Sequence, residues 1–149
     1  MASRRSVAGW LTVVFILGQL AILGIKELRE QGSPLAQQYA FFGYAPNLVA
    51  AATLPWLVLA VALKRGGPLD GPYAWRDLWH EGRALCAGLL LSTGGLLAWE
   101  FIQRSRPNRT FDWQDIWATM GGTGLCMAVI VSARLFTMCR ANSSSSTRA

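Results

Sequence analysis

Glu100, Gln103, Arg109, Asp112 and Asp115 fall within sixteen residues, in the stretch WEFIQRSRPNRTFDWQDIWATMGG at positions 99–122. Two carboxyl groups brought together can serve as an acid/base pair. A planar guanidinium beside them can bridge carboxylates or grip an anionic group with two parallel hydrogen bonds. What accompanies the cluster limits the chemistry. No Ser or Cys nucleophile lies near a His base, and the chain has no phosphate-binding loop and no set of metal ligands. His80 is the only histidine and has no second His or Cys nearby, so it reads as a surface residue. No metal and no cofactor is expected. The residues favour binding over catalysis and leave open whether any reaction is catalysed.

The spacing says how the cluster is held. Glu100 and Gln103 are three apart and share one helix face, as do Asp112 and Asp115. Eight residues separate the two pairs, within a loop of about a dozen between the apolar runs, so a hairpin brings both to the same end of adjacent helices. Part of this has a structural explanation: Thr110 or Asp112 makes a good N-cap, and Asp115 suits the first turn of a helix. Glu100, Gln103, Arg109 and Asp115 together exceed what ending two helices requires. Ionisable groups next to a bilayer are functional candidates by default.

The surrounding elements are apolar. Of 149 residues, 52% are hydrophobic and only 15% charged, against roughly a quarter charged in a soluble domain. Four runs dominate: VAGWLTVVFILGQLAILGI at 7–25, GYAPNLVAAATLPWLVLAVAL at 43–63, ALCAGLLLSTGGLLAWEFI at 84–102 and IWATMGGTGLCMAVIVSARLF at 116–136. Each is close to the ~20 residues a helix needs to cross hydrocarbon. The expected fold is all-α: an integral membrane protein with four transmembrane helices in a small bundle over 7–136. Residues 1–6 form a short N-terminus, and the Ser-rich segment 137–149 is expected to be a disordered tail. Arg4 and Arg5 precede the first run as in a signal peptide. Its length, and the lack of a small-x-small site before Lys26, favour a retained helix.

The net charge of +6 is ordinary for basic loops of a membrane protein, so no nucleic acid is expected as partner. Arg4, Arg5, Lys64, Arg65, Arg76, Arg83, Arg134, Arg140 and Arg148 lie on one side of the four runs. Lys26, Arg29, Arg104, Arg106 and Arg109 lie on the other. The positive-inside bias puts both termini in the cytoplasm of a multi-pass cell-membrane protein and the polar cluster on the outer face. Trp10, Trp75 and Trp79 suit an inner aromatic belt, and Trp99, Trp113 and Trp117 an outer one; Trp56 lies deeper. The segment YAWRDLWHEG is expected as a short interfacial helix. Cys86, Cys126 and Cys139 fit no disulfide framework and read as small buried hydrophobes.

Small residues mark the packing faces. Ala84, Gly88 and Ser92 recur every four residues in the third run, and the fourth carries Gly121, Gly122, Gly124 and Cys126. Such faces allow close helix approach in lipid, so the third and fourth helices are expected to pack together or on a partner. Pro55 should kink the second helix and free a carbonyl.

The pattern Glu100-x-x-Gln103, then Pro107-x-Arg109-Thr-Phe-Asp112-x-x-Asp115-Ile116, then Gly122 resembles the signature of the VanZ-like membrane protein family. Arg83 and Ser92 fit its upstream positions, and Asn47 with Pro55 is similar to its second helix. The resemblance covers residues 83–126. Thr119 stands where the family usually has Asn, and Cys126 where it has Gly. The resemblance implies a multi-spanning protein whose polar site is Glu100, Gln103, Arg109 and Asp115; the founding member is linked to teicoplanin resistance. Two functions follow as expectations. One is an outward-facing polar site for a lipid headgroup or cell-envelope precursor. The other is a small accessory subunit docked on other integral membrane subunits, with membrane lipids as partners in either case.

Overall fold

The structure, a computed structural model, describes residues 2–65, 72–73, 81–104 and 112–146, with side chains described for residues 3–65, 81–104 and 112–132. Five helices follow in order: α1 (Arg4–Glu30), the single turn α2 (Pro34–Gln38), α3 (Phe41–Arg65), α4 (Gly82–Arg104) and α5 (Trp113–Ser146). A two-residue pairing of Ala2–Ser3 with Pro72–Tyr73 is the only extended structure among the described residues. Four of the helices are long and apolar enough to cross a membrane. The architecture is the expected all-α, four-helix bundle of a multi-pass membrane protein.

Each spanning helix outruns its apolar run by two to ten residues, because hydrogen bonding continues into the polar flanks. The largest extension corrects an expectation: α5 carries on to Ser146, through most of the segment expected to be a disordered tail. No Gly or Pro interrupts the chain after Gly124, so nothing there stops a helix.

The bundle is inside-out by soluble standards. Leu90 is 74% exposed, Leu91 68% and Trp10 66%, surfaces that only lipid or a partner would solvate well. The interior is narrow: Val7, Ala8 and Leu11 of α1 meet Leu59, Ala60 and Leu63 of α3, with Leu85, Cys126 and Ile130 closing the cluster. Trp56, the deep tryptophan, packs against this cluster. Cys126 is buried as expected, but Cys86 is exposed on the outer surface of α4. The proposed interfacial helix, with Trp75, Trp79 and His80, lies outside the described residues.

α3 is the hub. α1, α4 and α5 each pack on it far more extensively than α4 packs on α5, so the third and fourth spanning helices do pack together as expected, but each makes its larger contact with α3. The glycines explain why. A Cβ at Gly88 would lie 3.1 Å from the Pro55 carbonyl oxygen of α3 and 3.2 Å from Val58 Cβ. One at Gly122 would overlap the Leu48 carbonyl oxygen and come within 2.9 Å of Ala51 Cβ. The small-residue faces therefore dock on α3. Ser92 is buried on the same side of α4 and turns its hydroxyl to the Leu89 carbonyl. α4 and α5 are joined by the Thr93–Thr123 hydroxyl pair at 2.8 Å.

Gly121 and Gly124 differ from Gly122: a Cβ at either would meet nothing within 4 Å. Gly121→Ala and Gly124→Ala should not lower the melting temperature of the purified protein and should raise it slightly, since each adds a methyl to open space and a better helix former to α5. A large drop in either variant, read by thermal unfolding in detergent, would contradict the packing described.

α3 remains helical through Pro46 and Pro55. Pro55 has no N–H, so the Ala51 carbonyl loses its partner one turn below, at the point where Gly88 lets α4 come close.

Candidate functional site

The ends of four helices assemble the site, and the α1 end is fixed first. Ser33 N–H reaches the Leu28 carbonyl at 3.1 Å and Gly32 N–H the Arg29 carbonyl at 3.1 Å, with Gly32 at φ 66°. This is a Schellman turn, whose left-handed residue suits glycine. It ends α1 sharply and sends the chain through α2 into α3. Arg29, in the last turn of α1, is thereby brought over the start of α3, where its guanidinium donates to the Gly43 carbonyl at 3.4 Å.

α5 begins at the same end. Asp112 is its N-cap: the Oδ1 atom accepts from Gln114 N–H at 2.8 Å, and the Asp112 carbonyl accepts from Asp115 N–H at 3.2 Å. Capping is what its residue type favours, and the side chain stays exposed. Asp115 is half-buried one turn in, with Asn47 in hydrogen-bonding reach and Glu100, Asp112 and Arg29 as charged neighbours.

Glu100 is the centre. It is only 2% exposed, and its Oε1 atom accepts two hydrogen bonds: Gln103 Nε2 from one turn along α4 at 3.2 Å, and Asn47 Nδ2 from α3 at 3.1 Å. The first is the same-face contact that the i, i+3 spacing implied. The second crosses between helices, and Asn47 also lies close enough to Asp115 to act on its carboxyl group. Thr119 is fully buried below Asp115 and donates its hydroxyl to the Asp115 carbonyl at 2.9 Å. The Thr119 hydroxyl is thus satisfied within its own helix.

The structure thus brings together Glu100, Gln103, Asp112 and Asp115. Arg109 lies outside the described residues. Asn47 and Arg29 are the additions. Asn47 carried a signal, since it is the sole amide in an otherwise apolar run, but its partner is 53 residues away. Among the described residues no group of three or more His, Cys, Asp or Glu side chains could hold a metal ion. The arrangement is a pair of neighbouring carboxyl groups, one of them bonded to an amide from α3, at the polar end of an apolar bundle, with a guanidinium at its edge. Such a set can orient a polar head offering both donors and an anionic group.

Comparison with protein families, with curated proteins and with solved structures finds no match to this chain.

Proposed function

We propose that the protein is a VanZ-like cell-membrane protein whose polar site, at the outer face of the bundle, binds a lipid headgroup or a cell-envelope precursor. One observation carries the reading: a glutamate buried to 2% exposure is held by amides from two different helices. Burying a carboxyl group beside hydrocarbon costs several kcal/mol unless it is well partnered. Helix ends can be closed without it. The resemblance over residues 83–126 adds support, as does Asn47 meeting Glu100. The basic-residue bias supports cytoplasmic termini and an outward-facing site.

A second reading, an accessory subunit of a larger membrane complex, is favoured by Gly94, Gly95, Gly121 and Gly124, all of which open outward. The test separates the two. The protein is purified in mild detergent from its host, and co-purifying lipids and proteins are identified by mass spectrometry. A bound lipid or precursor that disappears in Glu100→Gln supports the polar site. Stoichiometric protein partners, lost in Gly121→Leu and kept in Glu100→Gln, establish the subunit reading instead.

A further inference from the structure

Beside the carboxyl cluster, α3 and α5 leave a groove of about 370 Å³ lined by Tyr44, Leu48, Gln114, Trp117 and Ala118. Its wall is almost wholly apolar and its surroundings are not. Asn47 and Asp115 alternate along the chain with the lining residues. Asp112 is exposed just before α5 begins, and Arg29 ends α1 within Coulombic reach of Asp115. Trp117 stands 73% exposed at the groove. The groove lies at the ends of spanning helices, at the boundary between hydrocarbon and headgroups, where the abundant amphiphile is a phospholipid.

The geometry points to one occupant: a zwitterionic phospholipid with a primary ammonium, one acyl chain lying in the groove and the head on the polar rim. The inference rests on the proposed function and names the ligand class of that site. Charge complementarity selects the head. A primary ammonium has three N–H donors and a positive charge, matched by the Asp112 and Asp115 carboxyl groups and by the aromatic faces of Trp117 and Tyr44. The neighbouring phosphate matches the planar fork of Arg29. A trimethylated head keeps the charge and loses every donor; a glycerol head loses the charge as well.

The probe is delipidated protein in mild detergent, titrated with phosphatidylethanolamine, phosphatidylcholine and phosphatidylglycerol of matched chains while thermal unfolding is followed. The ethanolamine lipid is expected to stabilise at on the order of tenfold lower concentration than the glycerol lipid, with choline between. Asp112→Asn keeps an equally good N-cap and removes the charge; Trp117→Ala removes an exposed ring. Each should abolish the preference and leave lipid-free melting unchanged. Equal stabilisation by all three lipids, a preference for the glycerol head, or an ethanolamine preference that survives both variants would each overturn the proposal. Failure of the parent reading looks different: Glu100→Gln would then leave the co-purifying lipids as they are in the native protein.

Discussion

Replacing Gly122 with alanine is expected to destabilise the protein more than any other single methyl addition in the bundle. The new Cβ would overlap the Leu48 carbonyl oxygen, a backbone atom inside a helix, with Ala51 Cβ 2.9 Å away. A flexible side chain could swing aside; a helical carbonyl cannot. α5 must therefore move off α3, and overpacking of this kind costs about 1–3 kcal/mol. Separation would also open the seam that holds Asn47 beside Asp115, so ligand retention should fall together with stability. Thermal unfolding in detergent is the measurement, with Gly121→Ala as the control one residue away. Equal melting temperatures for the two variants would contradict the α3–α5 contact.

The second large effect concerns Asn47. Asn47→Leu removes the donor that α3 offers to Glu100 and leaves a carboxyl group at 2% exposure with Gln103 alone. Interhelical hydrogen bonds in membranes average only ~0.6 kcal/mol, because unfolded segments also find partners. This one should exceed that average, since an under-satisfied buried acceptor costs about 1–3 kcal/mol. A double-mutant cycle isolates the pair. Asn47→Leu should be strongly destabilising alone and much less so when Glu100→Leu removes the acceptor it abandoned. Additive effects would show that the two side chains do not depend on each other.

Particular residues show how far the sequence could be read. Four spanning helices were legible because ~20 consecutive apolar residues have few other uses, and their ends shifted only where polar flanks continued the helix. Gln103 beside Glu100 was legible from the spacing of three, and Asp112 as a cap from its residue type. The partners of the small-residue faces were not legible. Gly88 and Gly122 signal close approach in sequence, but the surface approached belongs to α3, whose own pattern of Leu48, Ala51 and Pro55 carries no mark of it. Asn47 was visible as an oddity and not as a partner, because a contact across 53 residues depends on how helices stack. Arg29 escaped for a related reason: only the turn at Gly32 brings it over the start of α3.

The position of α3 at the hub has a consequence for how the protein is made. A chain threaded into the bilayer from its N-terminus places α3 before α4 and α5 exist. When α4 emerges, the amide of Asn47 is already in the membrane to receive its glutamate, and the Pro55 backbone is waiting for Gly88. When α5 follows, Leu48 and Ala51 offer the surface that Gly122 needs. Each late-arriving helix thus finds its main docking partner upstream, and no carboxyl group has to wait unpaired in lipid for a segment still on the ribosome. Biogenesis can proceed in the order of translation, with the polar cluster completed by the last helix to enter.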